Sequence, residues 1–310
     1  DMVMVTQADT FYAYAAEDTL IRNTAGLALW LDGTDINADG TIPTDGADIA
    51  TWADKSGNGN NATSVAANRN PAYDATAQGL QFAGTDILTG TAGFNSNTLF
   101  IVFEPDNEIT SASSAISLIS NSSSVQNSVT LGTITSTLAG EVVTLLNNSN
   151  NVNNRDAISS SNLASITPSS HILGIRADGT NDAEMYFDGT MNLQDLTVGD
   201  NDLLTNLAYA LGTDNSGGRF FPGIIKEVIS YDNTLSTTDF FAIQNLLDRK
   251  WNGSTICKDE ESFRIILPQL DLSPMVVCAN ETDFTVTVTV DWEDVDFAND
   301  DIEVTLLGET

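Results

Sequence analysis

Seven short runs set what this chain can fold into: LALWLDG (27–33), GLQFAG (79–84), TLFIVFEP (98–105), HILGIRADG (171–179), AEMYFDG (183–189), LAYALG (207–212) and GIIKEVISYD (223–232). Each is rich in leucine, β-branched or aromatic residues. Gly, Asn, Asp and Pro, the residues that break strands and make turns, punctuate them. No helical periodicity intervenes, so the runs predict an all-β sandwich. One helix is expected at its end, in STTDFFAIQNLLDRKWNG. Ser236 is placed to cap it, Asp239 follows three residues on, and Phe240, Ile243, Leu246, Leu247 and Trp251 recur at helical spacing before Gly253 stops the pattern. Such a helix lies with its apolar stripe against the sandwich.

Beyond Gly253 the character changes. DFTVTVTVDWED (283–294) alternates between apolar residues and threonine, as one strand of a half-buried sheet does, and DIEVTLLG (301–308) is a candidate partner. About 55 residues remain after Gly253, too few for an immunoglobulin-like sandwich of about 100. The sequence is either cut within that domain or completed by a neighbouring molecule. The expected organisation is a segment 1–24 that is a strand or linker, a sandwich over 25–253, and a partial second β domain over 254–310.

The chain carries 43 Asp and Glu against 11 Lys and Arg, a net charge of -32 over 310 residues. A surface of that sign repels phosphate backbones and anionic lipid, which excludes nucleic acid as a partner class. It suits a cation-rich exterior, where bound or condensed cations offset self-repulsion. No apolar run approaches the roughly 18 residues needed to span a bilayer, so membrane insertion is not expected. The first residue is Asp1, and the chain is read as a mature or excised segment of a secreted precursor. The two cysteines, Cys257 and Cys278, read as one disulfide, the alternative being two unpaired buried thiols.

Two segments carry a resemblance. LALWLDGTDINADG, followed by WADKSGNGN (Trp52 to Asn60), resembles the opening of laminin-G-like, concanavalin A-like lectin domains in large bacterial surface proteins. The segment GIIKEVISYDNTLSTTDFFAIQNLLDRKWNG resembles the last strand and terminal helix of those domains. The resemblance implies a concanavalin A-like (jelly-roll) sandwich over about residues 25 to 253. The tail VCANETDFTVTVTVDWEDVD resembles the tandem Ig-like repeats of giant adhesins from Bacteroidota. Together they imply a secreted or cell-surface adhesion module, with a lectin or a strand-exchanging filament subunit as alternatives. Its partners would be surface glycans, or neighbouring copies or domains of the same protein. The fold hosts lectins, hydrolases and inert spacers alike, so function has to come from a site.

The sharpest candidate site is DINADG (35–40). Asp35, Asn37 and Asp39 alternate before Gly40, the first half of a calcium loop in which oxygens at every second position converge on one ion. Gly46 stands where the bidentate twelfth-position Glu belongs. The Thr41 carbonyl falls at the seventh position, and Asp45 and Asp48 lie close enough to replace the missing Glu. The expectation is a structural Ca2+ held by Asp35, Asn37, Asp39, Thr41, Asp45 and Asp48, the alternative being an acidic solvated turn. Asp294, Asp296, Asn299, Asp300 and Asp301, and the stretch VGDND at 198–202, are thinner candidates of the same kind.

No catalytic residues are expected. Glu104, Asp106 and Glu108 match the E-x-D-x-E pattern that puts three carboxylates on one strand face in β-glucan hydrolases, but Pro105 and Asn107 should end the strand there. His171, the single histidine, is read as a surface or strand-end residue. For glycan stacking, Trp52, Tyr73 and the segment 214–221 offer aromatic groups beside amides and carboxylates, but Trp30, Trp52 and Trp251 sit where a core role is the cheaper reading.

Overall fold

The structure, a computed structural model, describes residues 19–90, 96–121, 128–132, 143–146, 157–159, 163–177, 183–195, 208–213 and 218–253, then 265–267, 270–278 and 284–291. The chain divides into two units, Asp1–Ser254 and Thr255–Thr310. All described strand pairings are antiparallel.

The first unit is a jelly-roll sandwich of two sheets, with strands numbered here in chain order. One sheet runs β16 (Thr190–Asp195), β15 (Ala183–Phe187), β14 (His171–Ala177), β7 (Thr98–Pro105), β18 (Gly223–Tyr231), β5 (Gly79–Phe82) and β4 (Ala72–Asp74), with β1 (Leu27–Asp32) also pairing β18. The other runs β12 (Ala157–Ser159), β11 (Val143–Leu146), β10 (Ser128–Leu131), β9 (Ile116–Asn121), β17 (Tyr209–Leu211), β6 (Leu88–Gly90), β3 (Ala62–Ser64) and β2 (Thr51–Trp52). A ribbon of β8 (Ile109–Thr110) and β13 (Ser165–Ile166) stands beside them. All seven apolar runs of the sequence form strands.

Two cores explain why those runs are continuous rather than alternating. Leu99, Ile101 and Phe103 of β7, Leu29 and Leu31 of β1, and Leu173 and Ile175 of β14 join Leu118, Val129 and Leu211 between the sheets. The intervening Phe100, Val102, Trp30, Ile172 and Ile229 point the other way, into a second core beneath the helix. A strand buried on both faces needs apolar residues at every position.

The helix, α1, is Thr237–Asn252. Ser236 caps it, its hydroxyl accepting from the Asp239 N–H at 3.1 Å, and Gly253 ends it in a left-handed conformation at φ 61°. Phe240, Ile243, Leu246 and Leu247 are buried, and burial of side chains of this size stabilises by roughly 2 kcal/mol each.

The second unit is described as a three-stranded sheet of β19 (Ile265–Leu267), β20 (Leu270–Cys278) and β21 (Phe284–Asp291). The alternating run at 284–291 pairs with 270–278, from Cys278 opposite Phe284 to Asp271 opposite Asp291. Residues 301–308, Cys257 and the acidic stretches 294–301 and 198–202 lie outside the described residues. The expected disulfide is therefore not described.

Candidate functional site

The site grows from the end of β1. Asp32, Glu227 of β18 and Lys55 are buried, with Asp32 1 % and Glu227 0 % exposed, and Lys250 of α1 is half-buried with its side chain turned inward, 9 % exposed. Charges removed from water persist only when paired and hydrogen-bonded. Here Lys250 Nζ lies 2.9 Å from both Asp32 Oδ1 and Glu227 Oε2, and Lys55 Nζ lies 2.9 Å from Asp32 Oδ2. Two indoles complete the shell of Glu227, Trp30 Nε1 donating to Oε1 at 2.8 Å and Trp251 Nε1 to Oε2 at 2.5 Å. Lys55 also sits over the Trp30 ring, 4.4 Å from its centroid. The quartet sums to zero charge, and it fastens the last turn of α1 to β1 and β18.

The two acids differ although they share Lys250. Burial alone would raise the pKa of Asp32, but Lys250 and Lys55 outweigh it and hold the carboxyl well below the usual carboxylate range. Glu227 has one ammonium partner, so burial wins, with the Asp32 charge adding to it, and its pKa is raised. Burial pushes Lys250 down, yet Glu227 and Asp32 push it up further, so it stays protonated.

The Trp52–Asn60 motif covers the free edge of β1. Asp54 accepts from Trp30 N and Ser56 N at 2.9 Å each through Oδ1, and from Ser56 Oγ at 2.7 Å and Asn60 N at 2.9 Å through Oδ2. Asn58 Nδ2 donates to the Leu27 carbonyl at 2.8 Å, Asn60 Nδ2 to that of Ala28 at 2.7 Å, and the Lys55 N–H to that of Trp30 at 2.7 Å. An unpaired strand edge invites pairing with other chains, and these side chains replace a neighbouring strand. Trp52 is fully buried and donates its Nε1–H to the Asp32 carbonyl at 3.1 Å.

The acidic loop adjoins this network. Asp35 Oδ1 accepts from the N–H groups of Asp39 at 3.0 Å and Gly40 at 2.9 Å. Asp39 Oδ1 accepts from Thr41 N at 2.9 Å and Thr41 Oγ1 at 2.6 Å, and Asn37 Nδ2 donates to Thr41 Oγ1 at 2.9 Å. The Thr41 hydroxyl and N–H hold the Asp39 carboxyl below its ordinary pKa. Gly40 at φ 80° supplies the left-handed turn. Lys55 reaches back to Asp35 Oδ2 at 3.4 Å, so one lysine joins the loop to the buried quartet.

Asp35, Asn37, Asp39 and Thr41 thus form one hydrogen-bonded loop. Asp45 faces elsewhere, its Oδ1 accepting from Ala75 N at 3.0 Å, and Asp48 pairs through its backbone with Ala72. Among the described residues, no three His, Cys, Asp or Glu side chains are grouped to hold a metal ion. The E-x-D-x-E match does not form one carboxylate face. β7 ends at Pro105, Glu104 pairs with Lys226 at 3.1 Å, and Asp106 takes Gln81 Nε2 at 3.2 Å. Tyr73 is 1 % exposed, so neither it nor Trp52 offers a stacking face. His171 opens β14 as a strand-end residue but is buried rather than on the surface, at 8 % exposure.

Sequence reasoning did not single out Lys55, Lys250, Glu227 or Trp251 as one cluster. The available signal was the Lys226–Glu227 pair inside an otherwise apolar strand run, and the basic last turn of the helix.

No protein-family model matches the chain, and no curated protein matches it in sequence. Solved structures with related architecture exist. Domain 4 of AbnA, an extracellular GH43 arabinanase of Geobacillus stearothermophilus in complex with arabinotriose, is 15 % identical and covers 71 % of this chain and 97 % of its own, at a TM-score of 0.46. Trypanosoma rangeli sialidase, in complex with 2,3-difluorosialic acid, is 12 % identical over 78 % of this chain and 39 % of its own, at 0.49. A botulinum neurotoxin type C structure, whose cell entry depends on two ganglioside molecules, is 12 % identical over 89 % and 63 %, at 0.48. The chain therefore spans well under half of the sialidase, and at these scores the likenesses carry no argument about activity. Among the described residues no helix is long and apolar enough to cross a membrane.

Proposed function

We propose that this chain is a non-catalytic, extracellular adhesion module of concanavalin A-like fold whose 35–41 loop takes a structural calcium ion. The observation that carries the reading is the neutralisation of the interior acids. Asp32 is locked by two ammonium groups, and Glu227 by one ammonium and two indole donors, beneath the surface, so neither of these two acids faces a substrate as a general acid or nucleophile. What remains outside is strongly acidic, because three of the four lysines, Lys55, Lys226 and Lys250, turn their side chains inward into ion pairs, 7 %, 8 % and 9 % exposed.

The loop chemistry fits a hard cation. Asp35, Asn37, Asp39 and the Thr41 carbonyl are oxygen donors within one turn, and the hydrogen bonds that shape the turn engage one oxygen of each aspartate. Calcium there would neutralise repulsion and stiffen the loop. Because Lys55 already meets Asp35, that stiffening would be felt at the buried quartet.

A second reading, carbohydrate binding, is favoured by one feature of the 218–221 segment. Phe220 is half-buried, with the Arg69 guanidinium 5.4 Å from its ring centroid, an aromatic face beside a donor-rich group.

Thermal unfolding with calcium and then with excess chelator, at fixed ionic strength, tests the calcium reading. An ion bound only by the folded state at a hundredfold excess over Kd adds about 2.7 kcal/mol. A calcium-dependent rise that Asp39→Ala abolishes supports the reading, and equal melting in calcium and chelator refutes it. A glycan array comparing the wild type with Phe220→Ala tests the second reading. Binding lost on substitution would make the module a lectin.

A further inference from the structure

The chain's only histidine occupies a constructed position. The His171 ring lies at the start of β14, with Phe187 at 5.0 Å and Phe103 at 6.0 Å between centroids. Its Nδ1 is 2.8 Å from Asp188 Oδ2, on the turn joining β15 and β16. Its Nε2 is 3.0 Å from the Thr167 carbonyl oxygen and 3.2 Å from Ser169 Oγ, in the segment following β13. The order Ser169, His171, Asp188 has the outline of a hydrolytic triad, but the partners decide against it. A triad base offers an unprotonated Nε2 to the serine hydroxyl. Here a carboxylate faces one ring nitrogen and a backbone carbonyl the other, and both groups only accept. Both nitrogens must carry protons for both contacts to be hydrogen bonds.

We propose that His171 is a pH-operated clasp: as an imidazolium it holds the 167–170 segment to the 188–189 turn, and on losing its proton it releases that segment while the sandwich stays folded. The neutral ring keeps one N–H. Asp188 is the stronger claimant, being fixed through Asp188 N to the Ile172 carbonyl at 2.9 Å and through Oδ1 to Ile172 N at 2.8 Å. The Nε2 lone pair then faces the Thr167 carbonyl oxygen at 3.0 Å, where two acceptors repel, and keeps only the longer contacts in which the Ser169 hydroxyl at 3.2 Å and the Thr167 hydroxyl at 3.5 Å can donate. The 167–170 segment, exposed at Thr167, Pro168 and Ser169, is the part free to move.

The charged groups around the ring agree in sign. Burial disfavours the cation. Asp188 on the β15–β16 turn, the Thr167 carbonyl and Glu104 of β7 favour it, and the balance lies above the ordinary histidine value. Glu104 is itself paired with Lys226 of β18 at 3.1 Å, which tempers its share. The 167–170 segment contributes hydroxyls and no charge. With a folded pKa above the unfolded one, the clasp is fully formed below the unfolded value and is lost as pH rises through the folded one.

A single histidine makes the test unambiguous. Two-bond proton–nitrogen NMR correlation on the ring follows its protonation in the wild-type protein, while backbone amides report the segment. The expected result is an imidazolium with both nitrogens protonated at about pH 6.5, the midpoint of a free histidine, and a titration displaced upward from it. Amides of residues 169 and 170 should shift with the same midpoint, and their hydrogen exchange should quicken above it while β14 and β7 stay protected. Asp188→Asn should lower the midpoint, and Ser169→Ala should leave it unchanged. A ring that is neutral at that pH, segment amides indifferent to the titration, or a midpoint that follows Ser169→Ala would each overturn the proposal.

Discussion

Replacing Lys250 by methionine is the most informative single perturbation of this fold. The methionine keeps the apolar stem that lines Trp251, whose ring centroid lies 4.9 Å from Nζ, but removes the one ammonium that Glu227 has. Asp32 keeps Lys55 at 2.9 Å and the Thr34 donors, so its loss is partial. Glu227, at 0 % exposure, keeps only the two indole N–H groups. Removing one partner of a buried pair costs about 3–5 kcal/mol, mostly because the survivor is left charged and dry. For a unit of this size that is a fall in Tm of roughly 10 °C. The raised pKa of Glu227 should rise further without Lys250, and a raised carboxylate is least costly where it is protonated. The penalty of Lys250→Met should therefore shrink as pH falls and be largest near neutrality.

Urea unfolding followed by tryptophan fluorescence reads this directly, since Trp30 and Trp251 both contact the network. The decisive control is the double variant Lys250→Met, Glu227→Gln, in which no stranded charge remains. It should recover about 2 kcal/mol relative to the single variant, a coupling of the size expected for groups in contact. A single variant within about 1 kcal/mol of wild type, or a double variant no better than the single one, would refute the view that charge pairing at Glu227 holds α1 in place.

Three further outcomes follow from other parts of the structure. Asp54→Ala removes an acceptor of four hydrogen bonds and should cost about 2–4 kcal/mol in urea unfolding, with concentration-dependent self-association by light scattering as the β1 edge is uncovered. Gly174→Ala places a Cβ 2.6 Å from Gln244 Oε1 and 2.7 Å from Phe240 Cζ, so the Gln244 side chain and the Phe240 ring must shift, at about 1–3 kcal/mol measured the same way. Melting temperature should rise as pH falls from about 8 to about 5, because self-repulsion from a net charge of -32 declines and His171 gains its proton. A flat or falling profile over that range would contradict both causes.

The sequence made the helix and the seven apolar strands legible because each carries a local signal. Ser236, Asp239 and Gly253 mark the helix ends within a few residues of the face they serve, and β7 is an unbroken apolar run from Leu99 to Phe103. The β9 to β12 half of the second sheet carried no such signal. Ser117, Ser120, Ser128 and Thr130 are fully buried there, and buried hydroxyls erase the contrast between inner and outer faces on which a period-two reading depends. They are tolerated because they find partners: Ser120 Oγ donates to the Thr213 carbonyl at 2.9 Å, 93 residues away, and the Ser128 and Thr130 hydroxyls pair with each other at 3.1 Å. The buried quartet was illegible for the same reason of distance. Asp32 and Lys250 lie 218 positions apart, and nothing near either residue announces the other. The acidic loop was the opposite case. Its 35–41 turn is local and readable, whereas the reach of Lys55 into it and the departure of Asp45 toward Ala75 depend on how β1 and β4 are placed.

The Trp52–Asn60 motif is recognisable in the sequence and yet a poor guide to a ligand. Asp54, Lys55, Ser56, Asn58 and Asn60 are the residue types that bind sugars and cations, but here each is engaged with this chain's own backbone or acids. Tyr209 of the opposite sheet closes the arrangement by donating its hydroxyl to the Asn60 carbonyl at 2.7 Å. A motif whose polar groups are all engaged in covering a strand edge specifies a fold, because any change in it exposes that edge. It leaves recognition to groups the sandwich does not need. Two such groups are the exposed Asp39 of the 35–41 loop and the half-buried Phe220 with its arginine. Substituting Asp39 or Phe220 should therefore alter binding with little change in the stability of the calcium-free fold, whereas substituting Asp54 should do the reverse.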